Sequence, residues 1–153
     1  MIRPEEYLEM YRILDTVSPV PFDCGTICGA SCCHSDEPDD GIYLLPGEEA
    51  LHDNDEWQSI SRSRGFLFVQ CKGPDHCHRE IRPIQCRTFP LVPTILNDGS
   101  IGLCANDMVL AYSCPMLESD VELDRDFIAA TEKVWTRLAE DPAIRRLVEM
   151  WNE

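Results

Sequence analysis

Nine cysteines in a chain of 153 residues constrain this fold more than any other feature. Four of them stand close together in the stretch Cys24-Gly-Thr-Ile-Cys28-Gly-Ala-Ser-Cys32-Cys33. The count is odd, and a disulfide between the adjacent Cys32 and Cys33 would be strained. The first residues lack the apolar stretch of a secretory signal, which predicts a cytoplasmic protein. Because cytoplasmic thiols are kept reduced, we expect the cysteines to hold metal rather than to form disulfides.

The charge balance excludes two classes of partner. The chain has 13 basic and 28 acidic residues, a formal net charge of −15, and no basic stripe that would offset the repulsion of a phosphate backbone. Its longest apolar runs, such as residues 66–69, fall far short of the roughly 20 residues that a bilayer-spanning helix needs. We therefore predict a protein that binds neither nucleic acid nor membrane.

A second group of cysteines follows downstream of the first. Zinc in a structural site and cubane iron-sulfur clusters each take four ligands, so that nine cysteines suffice for two sites with one left over. Thiolates are soft ligands that favour zinc, copper(I) or iron-sulfur clusters, and the spacing of the cysteines does not distinguish among these metals. The candidate metal ligands are Cys24, Cys28, Cys32, Cys33, Cys71, Cys77, Cys86 and Cys114. Cys104, on a predicted hairpin, is interpreted equally well as a ligand or as a small apolar side chain.

The cysteine-rich region resembles a known family. The stretch Cys77-His-Arg-Glu-Ile-Arg82-Pro83-Ile-Gln-Cys86-Arg87-Thr-Phe89-Pro90 is similar to the signature of the CxxCxxCC family of zinc- or iron-chelating proteins, also called YkgJ-like iron-sulfur-cluster proteins. The cluster from Cys24 to Cys33 resembles its first motif, with a wider spacing. Phe68-Val-Gln-Cys71 and Cys114-Pro115 resemble two further elements. The resemblance implies metal binding and no established reaction.

Two arginines are candidate cofactor-binding residues. A site of four thiolates keeps a net negative charge, which Arg82 and Arg87 would neutralise while donating hydrogen bonds to sulfur. The alternative is that both form surface ion pairs with carboxylates such as Asp23 or Asp75. Pro83 and Pro90 are expected to stiffen a loop that holds Cys86.

The four histidines carry a weaker signal than the cysteines. His34, His76 and His78 flank cysteines and could complete a shell of three cysteines and one histidine, although each is more often a solvated neighbour. His52 is expected on a surface turn. Glu48, with Glu49 beside it, is expected to begin a helix, where negative charge is favourable.

The pattern of the remaining residues predicts an α+β fold in one domain, residues 1–153. A small, irregular, metal-organised centre of short strands and a hairpin, residues 18–118, is flanked by helices, with a helical pair over residues 119–153. The predicted elements are a helix over 3–17, an extended piece over 41–46, a brief helix from 46, a strand over 65–70, a hairpin of 91–96 with 101–104, a helix from a Ser119/Glu122 capping box to 139, and a helix after Asp141-Pro142. Their apolar stripes, including Trp135, are expected to pack in a core.

Several functions remain open at this point. The first is a protein that binds metal through thiolates. An iron-sulfur cluster would exchange electrons with a protein partner, whereas zinc would stabilise an interaction module. The second is an enzyme, protein-modifying or oxidoreductase, whose metal has an open position. A thiol oxidoreductase is disfavoured because no C-x-x-C is present. If ligation organises the centre, metal removal, Cys28→Ser or Cys86→Ser should unfold it.

Overall fold

The computed structural model describes residues 2–17, 41–52, 58–71, 82–89, 91–105 and 123–152. Helices and two antiparallel sheets make up these residues, which confirms the predicted α+β class. In chain order the elements are α1 (Pro4–Asp15), β1 (Ile42–Leu44), a 3-10 helix (Glu48–Leu51), β2 (Gln58–Ser63), β3 (Phe66–Cys71), α2 (Ile84–Thr88), β4 (Leu91–Ile95), β5 (Ile101–Ala105), α3 (Arg125–Leu138) and α4 (Pro142–Trp151).

Helix α1 follows from its local sequence, as predicted. Pro4 occupies the first turn, where its missing N–H costs nothing, and two glutamates there complement the positive end of the helix. The buried side chains Tyr7, Met10, Tyr11 and Leu14 recur at spacings of three and four residues and face the core. The observed helix lies within the predicted range of 3–17.

The two C-terminal helices begin at aspartate caps. The side chain of Asp141 accepts hydrogen bonds from the N–H groups of Ala143 and Ile144, which confirms the predicted start of α4. The predicted start of the preceding helix at Ser119 is wrong. Asp124 has an extended backbone and its side chain accepts hydrogen bonds at the start of α3, so the helix begins only at Arg125. Ser119 and Glu122 lie outside the described residues.

The apolar core joins α1 to the two C-terminal helices. Trp135, Leu138 and Leu147 are almost completely buried and pack with the tyrosines of α1. Full burial of such side chains stabilises the fold by roughly 1.5–3 kcal/mol each relative to exposure. The two cysteine side chains that the structure describes lie outside this core: Cys86 is half-buried and Cys104 is exposed. Trp135 therefore packs in the core, as its helical spacing predicts.

A three-stranded sheet has the order β1-β3-β2. The predicted extended piece and the predicted strand correspond to β1 and β3, whereas the sequence pattern does not predict β2. Strands β2 and β3 are joined by Arg64 and Gly65, both with positive φ, which is the geometry of a tight two-residue hairpin turn. Gly41, just before β1, lies so close to β3 that a Cβ there would collide with the carbonyl oxygen of Val69.

The second sheet is the predicted hairpin of β4 and β5, in which Leu91 lies opposite Ala105. Its outer edge on β4 is covered by the residue that follows α4. The side-chain oxygen of Asn152 accepts a hydrogen bond from the N–H of Ile95 at 3.0 Å, and its amide nitrogen donates to the carbonyl of Pro93 at 3.2 Å. These contacts tie the hairpin to α4.

None of the helices in the described part of the chain combines the length and apolar composition required to cross a bilayer.

Candidate metal centre

Cys86 lies on α2, a helix of five residues that is held by four other elements. The N–H of Ile84 donates to Glu48 in the 3-10 helix at 2.8 Å, and the side chain of Gln85 accepts from the N–H of Tyr43 in β1 at 2.6 Å. At the other end, the hydroxyl of Thr88 accepts from the indole N–H of Trp135 in α3 at 3.3 Å. The fourth element is α1, which Arg87 contacts. A helix this short is unstable alone, so these anchors position Cys86.

The expected loop around Cys86 is thus a helical turn, which corrects the prediction. Pro83 has an extended backbone and stands at the N-cap, where proline is tolerated. The helix ends at Thr88 because Phe89, which precedes Pro90, is extended, as residues before proline usually are. The thiol-bearing Cys86 is half-buried within this turn.

Glu48 is completely buried and has a structural role that the sequence does not reveal. Its carboxylate accepts hydrogen bonds from two backbone N–H groups, that of Leu45 at 3.0 Å and that of Ile84. It also accepts one from the hydroxyl of Tyr11 at 2.5 Å. Burial raises the pKa of Glu48, and these three donors together with the charge of Arg87 offset the rise only in part. The 3-10 helix does begin at Glu48, as predicted, but the carboxylate points inward.

His52 extends this buried polar chain. It is only 5 % exposed, so the prediction of a surface turn is wrong. Its Nε2 lies 3.2 Å from the hydroxyl of Tyr11. The tautomer of the imidazole ring decides which of the two groups donates this hydrogen bond. Burial, followed by the charge of Glu48, raises the pKa of Tyr11, which keeps the hydroxyl protonated.

Arg87 connects α2 with α1. Its guanidinium donates to the carbonyls of Arg82, at 2.5 Å, and Tyr11, at 3.2 Å, and forms an ion pair with Asp15. It also lies 4.3 Å from the centre of the Tyr11 ring, a cation–π contact. Arg87 thus forms an ion pair with a carboxylate, as the alternative holds, but its own side chain is buried, at 3 % exposure, and only Asp15 lies at the surface. Asp23 and Asp75 lie outside the described residues.

The other candidate arginine supports the same turn. Arg82 donates through its terminal nitrogen to the carbonyl of Cys86 at 3.1 Å. Arg82 and Arg87 thus flank Cys86 and bind the backbone around it. Their predicted contact with a cofactor remains a prediction.

Of the eight predicted ligands, the structure describes the side chain of Cys86 and the backbone of Cys71 at the end of β3. Cys104 lies exposed on β5, with its sulfur 3.8 Å from the carbonyl of Val92. Among the residues with described positions, no three histidine, cysteine or acidic side chains are grouped as a metal site would require. The remaining predicted ligands and histidines lie outside the described residues: Cys24, Cys28, Cys32, Cys33, Cys77, Cys114, His34, His76 and His78.

Those remaining cysteines belong to three segments, 18–40, 72–81 and 106–122, whose flanking residues meet near α2. Before the first segment, Asp15 pairs with Arg87, and after it β1 contacts α2 through Tyr43. The second segment leads directly into Arg82. Before the third, Ala105 pairs with the start of β4, three residues beyond α2. The described fold therefore brings at least one boundary of each segment close to one short helix.

No family model matches this chain, and comparisons with curated proteins and with solved structures find no match either. The likeness to the CxxCxxCC family therefore depends on the cysteine, arginine and proline residues quoted above.

Proposed function

We propose that this protein binds metal through clustered cysteine thiolates, as zinc or as an iron-sulfur cluster, in the cytoplasm. The observation that carries the proposal is the anchoring of α2. Four elements from distant parts of the chain hold a five-residue helix that contains Cys86. Such support from surrounding residues is what a ligand needs in order to be fixed before metal binds.

The chain connections support the same proposal. Six of the other seven candidate ligands lie within the three segments, and the seventh, Cys71, adjoins the second segment. Each segment starts or ends next to residues that contact α2 or lie close to it in the chain. At least one end of each segment therefore adjoins a described residue near α2. Cysteines far apart in the sequence are thereby available to a shared site.

Charge also favours a bound cation. The three segments 18–40, 72–81 and 106–122 together contain 2 basic and 11 acidic residues, a net charge of −9. Each thiolate formed there adds a further negative charge. Ionising several thiols in such surroundings is unfavourable unless a metal ion or a cluster offsets their charge.

Metal and sulfide assays on anaerobically purified protein test the proposal. We expect either stoichiometric zinc in a colourless protein, which would indicate a structural or interaction module, or iron with sulfide and broad visible absorption, which would indicate a redox component with a protein electron partner. Protein that holds neither, even after anaerobic reconstitution with zinc or with iron and sulfide, would contradict it.

Two cysteine variants form a matched pair for the metal assay. Cys86→Ser should lower the bound metal per chain, because it removes the thiolate that α2 positions. Cys104→Ser changes an exposed thiol on β5 and should leave the metal content unchanged. Equal metal content in both variants would exclude Cys86 as a ligand.

A further inference from the structure

We infer that the turn between β4 and β5 holds a latent site of spontaneous modification, Asp98–Gly99, which Ser100 protects from conversion to isoaspartate. The inference does not depend on metal binding. The side chain of Asp98 is exposed in the turn. An aspartate followed by glycine is the sequence most prone to this reaction, because glycine has no side chain to hinder attack by its own backbone nitrogen.

The reaction requires no partner molecule other than water. The backbone nitrogen of Gly99 attacks the side-chain carboxyl carbon of Asp98, so that a nitrogen–carbon bond forms and the bond from this carbon to the hydroxyl oxygen breaks. The hydroxyl leaves with the amide proton as water, which gives a succinimide. Water then opens the ring at either carbonyl. One opening restores aspartate, and the other gives isoaspartate, whose main chain is one methylene longer.

Ser100 holds the carboxyl group that would be attacked. Oδ1 of Asp98 accepts a hydrogen bond from the N–H of Ser100 at 3.0 Å and another from its hydroxyl at 2.6 Å. These hydrogen bonds, that of the side chain first, lower the pKa of Asp98. The group therefore stays an ionised carboxylate, which has no hydroxyl to release, and ring closure must disrupt its hydrogen bonds to Ser100.

The attacking nitrogen is held as well. The N–H of Gly99 donates to the carbonyl of Leu96 at 2.9 Å, which engages the proton that the reaction must remove. Gly99 has a φ of 86°, and the N–H of Leu96 donates to the carbonyl of Ser100, as in a three-residue hairpin loop. From α4, Arg145 donates to the carbonyl of Gly99 at 2.7 Å. Both reacting groups thus lie in a turn that is fixed from two sides.

Ageing of the protein at neutral pH tests the inference. Isoaspartate is detected with a protein isoaspartyl carboxyl methyltransferase and located by peptide mapping, which separates the turn from the other Asp-Gly pair of the chain, residues 40–41. We expect the turn to convert at least about tenfold faster in guanidinium chloride than in folded protein, since unfolding removes several hydrogen bonds. Equal rates in the folded and the unfolded protein would overturn the inference.

Variants of Ser100 test its protecting role. Ser100→Ala removes the hydroxyl but keeps the backbone N–H, and it should raise the rate in folded protein about fivefold, as expected from the loss of one hydrogen bond. Ser100→Thr keeps a hydroxyl and should age like wild type. Ser61→Ala, at an exposed position of β2, is the matched control and should have no effect. In guanidinium chloride all these proteins should react at the same rate.

Two results would contradict the role of Ser100. If folded Ser100→Ala ages as slowly as wild type, the hydroxyl does not protect the site. If Ser100→Ala and Ser100→Thr both age faster by the same factor, the effect comes from a disturbed turn rather than from the hydroxyl. Each variant is aged well below its own unfolding midpoint, so that unfolded molecules do not contribute to the rate.

Discussion

The apolar side of the molecule and the polar surroundings of α2 are built by different means. On the apolar side, Trp135, Leu147 and their neighbours lie on helices whose spacing and caps are readable within about 15 residues of sequence. Around α2, the contacts join residues 36 to 76 positions apart, and most involve a buried charged group. The first region buries mainly apolar side chains, while the second buries a carboxyl group and a guanidinium that hold the helix carrying Cys86.

Removing the largest core side chain is the strongest test of this division. Trp135→Ala should destabilise the protein by about 3–5 kcal/mol, since it deletes a buried aromatic ring and leaves a cavity. Urea unfolding monitored by circular dichroism would measure the loss. Lys133→Ala, exposed on the same helix, is the matched control and should cost less than about 0.5 kcal/mol. A loss for Trp135→Ala as small as that of the control would refute the assignment of the core.

The polar region has its own key residue in Glu48. Glu48→Gln should destabilise the protein by about 2 kcal/mol, because the new amide presents N–H groups to a site where three donors need acceptors. The same unfolding experiment on Glu49→Gln, an exposed neighbour, provides the control. Similar losses for the two variants would mean that burial of Glu48 has no energetic significance.

The pH dependence of this residue sharpens the comparison. Burial raises the pKa of Glu48 above its ordinary value of 4.5, so that the folded state favours the protonated carboxyl. The stability that this preference contributes is complete below pH 4.5 and is lost as the pH rises through the higher pKa of the folded state.

The difference in unfolding free energy between wild type and Glu48→Gln should therefore shrink as the pH rises from about 4 towards neutrality. Unfolding curves of both proteins at closely spaced pH values would measure it, and the titration of groups that do not interact with Glu48 cancels in the difference. A gap that widens with pH would show that the folded state favours the ionised carboxyl instead.

A smaller effect is expected where the hairpin meets the apolar side. Asn152→Ala should cost about 1 kcal/mol, since it removes two hydrogen bonds to β4 that water replaces in part. Hydrogen exchange at the N–H of Ile95 should accelerate in the same variant. Glu149→Gln, on the exposed surface of α4, should leave that amide unchanged.

The smallest predicted effect is a gain. Arg64 occupies a backbone conformation with a φ of 55°, which disfavours most side chains but suits asparagine. Arg64→Asn should therefore stabilise the protein by about 0.5 kcal/mol, measured as a higher unfolding midpoint. Arg62→Asn, within β2, should instead destabilise it slightly, because asparagine is disfavoured in strands.

The elements predicted correctly are those with local signals. Pro4 and the spacing of Tyr7 and Tyr11 indicate α1, Asp141 indicates α4, and the Asp-Gly turn indicates the hairpin. The unpredicted strand, β2, has serines where a strand usually has β-branched residues, and its pairing depends on β3. The predicted start of α3 is wrong because Asp124 is as good a cap as Ser119.

The buried polar residues are hidden from sequence reasoning for a different reason. Glu48 and His52 look like surface residues because their partners, Tyr11 and Ile84, stand more than 30 positions away. The position of Arg87 next to Cys86 in the sequence makes it a candidate residue, yet no residue near it in the sequence indicates that it pairs with Asp15. Long-range ion pairs leave no periodic trace in a single sequence, whereas helix faces do.

The two hydrogen bonds of Asn152 have a consequence beyond the stability of the hairpin. Its carboxamide contacts the carbonyl of Pro93 and the N–H of Ile95, which is the pattern that one residue of a parallel strand would present opposite Thr94. The side chain thus takes the place of an incoming strand at an edge that could otherwise pair with another molecule. We therefore expect concentrated Asn152→Ala protein to associate through this edge more readily than the wild type.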